Sequence, residues 1–241
     1  MEGKTSFSSN DVLELRQRAE RAADPMGLLA VFASLRLKEH FDLCACFTPP
    51  VFEGRVGYIW ATSLLCGHHE MAAVVNMCEL PRPIPIENSC LDGLEMTGSS
   101  NLLRPARAVD NVMEAIEGNG TPRSFLEASI FAREAAEFLP VWHGVVWSDH
   151  TILGDDSRKG IHDADDDYEK LSAEWDWLCD KPSNWNPVVV CKQGIVTVEF
   201  YSYPVLVEEA IYRHRDTYKP NTYMFEWDIQ IIGRGGDGII V

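Results

Sequence analysis

The aromatic residues divide this chain near residue 141, and that division governs which elements each part can form. Up to Pro140 there is one tryptophan, Trp60, and one tyrosine, Tyr58; six further tryptophans run from Trp142 to Trp227 and six tyrosines from Tyr168 to Tyr223. The first part is rich in Ala, Leu, Met and Glu, which lose little side-chain freedom in a helix. From Pro187 onward Val, Ile, Tyr and Phe dominate, and these fit the pleated surface of a sheet. The expected architecture is therefore α+β. A helical bundle-like region spans 1–148, an acidic tryptophan-containing connector spans 149–186, and a small antiparallel β-rich region over 187–241 packs on the helices.

Local signals fill in this outline. Ser9 or Asn10 can cap a helix over 11–23, with Leu13 and Leu15 as a weak apolar stripe. Asp24-Pro25 reads as an N-cap with proline in the first turn, opening a helix that runs through His40. Pro49-Pro50 breaks the chain, and 58–65 and 70–80 read as a helical pair pivoting near Gly67. The segment 101–117 places Leu102, Val109, Val112, Met113 and Ile116 on one side and ends at Gly118 and Gly120. Thr121-Pro122 opens a helix over 123–139, where Phe125, Ile130, Phe131, Ala135 and Phe138 recur at helical spacing. Further on, 165–178 is predicted helical. The runs 188–191 and 195–201 form a hairpin about Lys192-Gln193-Gly194, and 205–212 fits helix or strand. The alternating run 223–232 returns through Gly233–Gly238 into a final strand over 239–241.

Charge is distributed unevenly. Between Asp149 and Asp180 lie eleven carboxylates and three basic side chains, so 32 residues carry −8 of the chain's net −16. Asp163, Asp165, Asp166, Asp167 and Glu169 crowd five acids into the eight positions that begin at His162. Such a segment repels itself and must be solvated or neutralised, which makes it the expected meeting point with a basic partner. Direct binding to nucleic acid or anionic membranes is not expected, because phosphate contacts need Lys and Arg. The apolar runs are about half the length of a membrane-spanning helix. Met1 to Asn10 lack the order of a secretory signal, and seven cysteines, an odd number, lie mostly in apolar stretches. A reducing, cytoplasmic setting with free thiols follows.

Catalytic and cofactor motifs are imitated rather than present. Asp163, Asp165 and Asp167 alternate as in an oxygen-rich cation loop, but Tyr168 stands where an EF-hand needs glycine. Cys44-Ala45-Cys46 and Cys66-Gly67-His68-His69 lack the paired short spacings of structural zinc sites. Gly233–Gly238 carries no Lys-Ser/Thr and opens no helix, so it is not a phosphate cradle. No disulfide, zinc or other cofactor is expected.

The acids have aromatic company: Trp142, Trp147, Trp175, Trp177 and Trp185 flank them, and tryptophan is common in interface hot spots. Trp142, Trp147 and Trp175 suit core closure, while Trp177 and Trp185, beside Asp176, Asp180 and Asn186, suit exposure. The expected function is a non-catalytic, acidic, cytoplasmic protein-binding module, an inhibitor or immunity-type factor. It engages a basic, nucleic-acid-binding partner through Asp163, Asp165, Asp166, Asp167, Glu169, Trp177 and Trp185. The first alternative is a divalent-metal hydrolase centred on Asp149, His150, His162, Asp163, Asp165 and Asp167. The second is a structural subunit without activity.

Overall fold

Gln193 and Gly194 adopt φ angles of 53° and 79°. That left-handed pair is the backbone of a two-residue hairpin turn, and glycine reaches it without steric cost. It joins β9 (Val188–Lys192) to β10 (Ile195–Pro204) in the antiparallel register Ile195↔Lys192, as the sequence predicts. The computed structural model describes residues 2–47, 55–64, 105, 107–141, 146–155, 175–204 and 210–235.

The hairpin sits at the heart of a curled, seven-stranded antiparallel sheet ordered β1-β9-β10-β11-β12-β8. Here β1 is Gly3–Ser6, β11 is Ala210–Tyr218, β12 is Phe225–Arg234 and β8 is Asp176–Trp177. Ten residues make β10 long enough to hold two neighbours on one edge. Its first half pairs with β9 and its last three residues pair with β7 (His150–Ile152), while β11 covers the opposite edge. Alternation then sets two faces. Val196, Val198, Phe200 and Ser202 share the inner face with His214, Asp216 and Tyr218, and Glu199, Tyr201, Arg213 and Arg215 share the outer one.

Against the inner face lies α3 (Pro122–Ala136). Thr121 caps it by accepting a hydrogen bond from the Ser124 amide, with Pro122 in the first turn, as the sequence indicates. Every residue over 126–135 is buried, including Glu127, Arg133 and Glu134. A helix buried all round needs partners on more than one side. The large sheet supplies one through β9 and β10, and β4 (Arg55–Ser63) supplies another from a second sheet ordered β3-β4-β6. In that sheet β3 is Phe41–Phe47 and β6 is Phe138–Val141. The helices α1 (Ser9–Ala19) and α2 (Pro25–Val31) close the core, with Val12, Leu15, Leu28, Leu29 and Phe32 nearly inaccessible. A short ladder joins β2 (Leu35–Leu37) to β5 (Ile116–Gly118).

The expected helical bundle over 1–148 is thus overturned: strand is the commonest element among the described residues, at 44%, with three short helices. Residues 58–63 belong to β4, where Ile59 and Ala61 face the core and Tyr58 and Trp60 pair with Cys46 and Cys44. Their aromatic and β-branched side chains suit a strand, and the Ala and Leu around them concealed this. The helix expected through His40 ends at Val31, and 35–37 becomes a strand because β5 is there to pair with it. The expected helix over 101–117 contains Pro105. Its described remainder is a 3₁₀ turn (Val112–Ala115), capped reciprocally by Asn111 and Glu114, that runs into β5. On α1 the buried stripe is Val12, Leu15, Arg16 and Ala19, and Leu13 points to solvent. The predicted helix over 165–178 enters the described residues only at its end, where Asp176–Trp177 is strand β8. The final strand over 239–241 and the helix over 70–80 lie outside the described residues.

Candidate functional site

Two side-chain clusters occupy the two faces of the large sheet. On the outer face Leu153, Tyr201, Ile211 and Ile232 form a small buried base. Trp175, Trp177, Trp185 and Tyr203 pack over it, each half-buried. The rings meet edge to face or tilted: Trp177–Trp185 at 6.1 Å, Trp185–Tyr201 at 5.2 Å and Trp175–Tyr203 at 6.0 Å between centroids. Gly233 lies beneath them, where a Cβ would stand 3.3 Å from the Trp177 ring. Lys181 Nζ lies 5.5 Å over Trp177, and Leu178 beside it is 54% exposed.

Hydrogen bonds hold this cluster in place. Asp155 accepts from the Trp185 amide at 3.2 Å and from Asn186 Nδ2 at 2.9 Å, and its own amide donates to Asn186 Oδ1 at 3.0 Å. The Leu178 amide donates to the Ile232 carbonyl at 3.0 Å. Asp155, from the acidic stretch, braces the cluster through Trp185 and Asn186, and Trp175 and Trp177 of the same stretch are part of it. Of the predicted contact residues, Trp177 and Trp185 are therefore brought together. Asp163, Asp165, Asp166, Asp167 and Glu169 lie outside the described residues, as does His162. Trp147, read as core closure, is 8% exposed and central to the inner cluster.

That inner cluster was not anticipated from sequence. Arg133 of α3 forms a bidentate pair with Asp216 of β11, Nη1–Oδ2 at 2.7 Å and Nη2–Oδ1 at 2.9 Å. Its Nη2 also makes a long 3.5 Å contact with His214 Nδ1. Ser202 Oγ lies 2.6 Å from His214 Nε2 and 2.8 Å from His150 Nδ1. One proton order satisfies this row. Arginine only donates, so His214 Nδ1 accepts, His214 Nε2–H donates to Ser202, and the Ser202 hydroxyl donates to His150. Burial pushes the His150 pKa down to about 3, with the Arg16 and Arg133 charges adding to the effect. His214 falls well below its usual value for the same first reason, helped by Arg133, His150 and Arg16. Both imidazoles are neutral near pH 7.

Beside this row, Arg16 of α1 pairs with Glu134 at 2.9 Å and donates to the carbonyls of Trp147 and His150. Trp147 Nε1 donates to Glu134 at 2.8 Å, and Arg16 and Arg133 lie 4.5 Å and 5.6 Å from the centroid of its ring. Glu137 accepts from the amides of Val146, Trp147 and Ser148 and from the Ser148 hydroxyl. Burial raises its pKa, and those hydrogen bonds oppose the rise. Ser202, His214 and Asp216 alternate along inner-facing strand positions, a polar period-two pattern visible in sequence but indistinguishable there from a solvent face.

Chemically, the inner cluster joins α1, α3, β7, β10 and β11. A serine between two histidines has the components of a nucleophile with a base, yet Ser202 is 0% exposed and His214 2%. A reacting group must come within hydrogen-bond reach of the nucleophile and its base, and here both partners are already taken. For the hydrolase alternative, His150 is committed to Ser202. Among the described residues no group of three or more His, Cys, Asp or Glu is placed to hold a metal ion. Of the cysteines among the described residues, Cys191 is in the core, Cys44 and Cys46 are half-buried and Cys179 is exposed, each a free thiol. No helix among the described residues is long and apolar enough to cross a membrane. Comparison of the chain with protein families, with curated proteins and with solved structures finds no match.

Proposed function

We propose that this chain is a non-catalytic protein-binding module of the reducing cytoplasm that engages a basic partner, in the manner of an inhibitor or immunity-type factor. One observation carries the reading. The half-buried tryptophans Trp177 and Trp185 meet on the outer face of the sheet, 6.1 Å apart between ring centroids, with the carboxylate of Asp155 bound to the Trp185 amide. Rigid aromatic anchors give binding energy at small entropic cost, and neighbouring carboxylates speed encounter with a positive surface. A basic partner that normally holds nucleic acid offers the complementary charge. The buried state of the Ser202 and histidine row favours binding over catalysis, because its donors and acceptors are satisfied within the fold.

The test is capture of partners from the native cell at low and high salt, followed by replacement of Asp163, Asp165, Asp166 and Asp167 together by Asn. Exposed charges are screened over about 8 Å at physiological ionic strength. Association should therefore slow as salt rises, and the quadruple variant should bind more weakly while folding normally. Equal binding by parent and variant at every salt concentration refutes the reading.

A further inference from the structure

Among the described residues the large sheet is an open half-barrel, with the four-residue β1 at one edge and β12 near the other. β12 is ten residues long, and β11 pairs with it from end to end. On its far side β8 covers only Gly233 and Arg234, with the Leu178 amide reaching the Ile232 carbonyl. Over 225–231 β12 therefore has no strand partner on that side among the described residues.

The phase of the ladder fixes what this edge offers. At the turn into β12, the Lys219 amide donates to the Met224 carbonyl at 2.8 Å. Antiparallel partners alternate between bonded and non-bonded pairs. Thr217–Glu226, Arg215–Asp228 and Arg213–Gln230 are thus bonded pairs, and the N–H and C=O groups of Phe225, Trp227, Ile229 and Ile231 point to the open edge. These four residues also share the inner face, in register with Tyr218, Asp216, His214 and Tyr212. Trp227, Ile229 and Ile231 are only half-buried, and the two isoleucines join neither buried cluster. Between them Glu226, Asp228 and Gln230 are exposed on the outer face. Asp228 accepts from Gln230 Nε2 at 3.2 Å, and Glu226 makes no hydrogen bond or ion pair among the described residues. The nearest cations, Arg213 and Arg215, stand one strand in, where Arg215 is held by Glu199.

An unpaired edge of this length is a template for another strand, and folds commonly blunt such edges with lysine, proline, a bulge or an inward-pointing charge. Over 225–231 there is no lysine or proline and no charge on the inner face, and the bulge comes only at Ile211/Tyr212, opposite the end of this stretch. An added strand would bond to Phe225, Trp227, Ile229 and Ile231, so its residues opposite these share the apolar inner face. Its alternate residues lie opposite Glu226, Asp228 and Gln230. Opposite charges across strands stabilise and like charges destabilise. A second copy adding the same edge would bring four carboxylates into one row, whereas a basic segment meets two carboxylates with cations.

We propose that the open edge of β12 binds an extended protein segment of alternating apolar and basic residues by strand addition. The inference goes beyond the partner-binding reading, uses other residues, and stands even if the tryptophan cluster binds nothing.

The experiment follows the fluorescence anisotropy of a labelled Lys-Val-Lys-Val-Lys-Val-Lys peptide with the full chain. Two control peptides keep its charge: Lys-Lys-Lys-Lys-Val-Val-Val, and the alternating peptide with N-methylated valines, which lack the donors that meet the edge. The alternating peptide should bind at least about 10-fold more tightly than either. Glu226→Gln combined with Asp228→Asn should weaken it roughly 5-fold. Ile229→Lys, which sets a charge on the inner face of the edge, should remove binding. The control peptides use the parent alone and decide the matter even where Ile229→Lys fails to fold. Absence of binding, or equal affinity for alternating and block order, overturns the proposal, since the acidic stretch alone would attract both orders alike. So does undiminished binding of the N-methylated peptide, or a dimer of the parent that Ile229→Lys dissociates, because the edge is then taken by a second copy.

Discussion

Tyr201 and Ser202 are neighbours on β10, yet the strand's alternation places them in different physical settings. Ser202, with His214 and Asp216, faces α3 in a region where charged groups are buried and paired. Tyr201, with Glu199, Arg213 and Arg215, faces outward, where the Arg215–Glu199 ion pair joins side chains that are 45% and 28% exposed. Similar residue types thus do different work. On the inner face a charge without its partner has no water to turn to, so the cluster fixes how α1, α3 and the sheet meet. Around Glu199 and Arg215 on the outer face water can replace a lost partner, so a charge there is not held to the fold in the same way.

The largest expected effect comes from removing one half of the central pair. Asp216→Ala strands the Arg133 guanidinium, and loss of one member of a buried pair costs about 3–5 kcal/mol. Urea unfolding should show that loss as a lower midpoint with an unchanged slope. A loss below about 1 kcal/mol would mean that the inner and outer faces do not differ as described.

The second effect is acid sensitivity, again confined to the inner face. His150 titrates near 3 in the fold but near 6.5 in the unfolded chain, and His214 is shifted in the same direction. Below pH 6.5 the unfolded chain binds protons that the fold refuses, so stability falls as pH drops. The slope is about 1.4 kcal/mol per pH unit for each histidine. For His150 the fall continues down to a pH of about 3. Glu137, raised by burial, acts in the opposite sense just above 4.5 and blunts the lower end of this limb. Replacing His214 by Gln, which keeps an amide near the Ser202 hydroxyl, should flatten the slope between pH 6.5 and 5. An unchanged slope would remove the histidines from the account.

These outcomes bear on what the sequence could disclose. The cap and proline that start α3, the Gln193-Gly194 turn and the alternation of β12 are local, and all were readable. Strands β2, β3 and β4 pair with residues 10 to 86 positions away, such as Trp60 for Cys44 and Glu117 for Arg36, and for β2 and for β4 against β6 no local window contains the partner. The polar residues of the inner face misled for a related reason. Alternating Ser, His and Asp resemble a wet face until Arg133 arrives from a helix that itself reads as amphipathic. For Trp177 and Trp185 the neighbouring Asp and Asn pointed to exposure, whereas the two rings are half-buried against each other, so only part of their setting was legible. Their shared base, Tyr201 and Ile232, was not.

On the outer face, Trp177→Ala separates binding from folding. The ring is half-buried at the sheet edge, so its removal should cost little stability. As an interface anchor it should cost about 2 kcal/mol of affinity, close to 30-fold in Kd. A variant that loses stability and affinity in proportion would make the tryptophan part of the core rather than part of a recognition surface.

The smallest effect is expected at Glu199. It accepts from Arg215 Nε at 3.0 Å and Nη2 at 2.7 Å, and from the Tyr201 hydroxyl at 3.1 Å. Geometry this favourable suggests a strong contribution, but pairs of this exposure are worth only about 0–1 kcal/mol and weaken with salt. Glu199→Gln should therefore shift the urea midpoint very little. Its signature should be electrostatic instead. The Tyr201 pKa is raised to about 12, first by burial and then by the Glu199 charge and hydrogen bond. Removing the charge should lower it toward 10, as read by alkaline ultraviolet difference spectra against Tyr201→Phe. Loss of stability with no movement of the tyrosine would place Glu199 under the same physics as Asp216, and the contrast between the two faces would fail at its clearest pair.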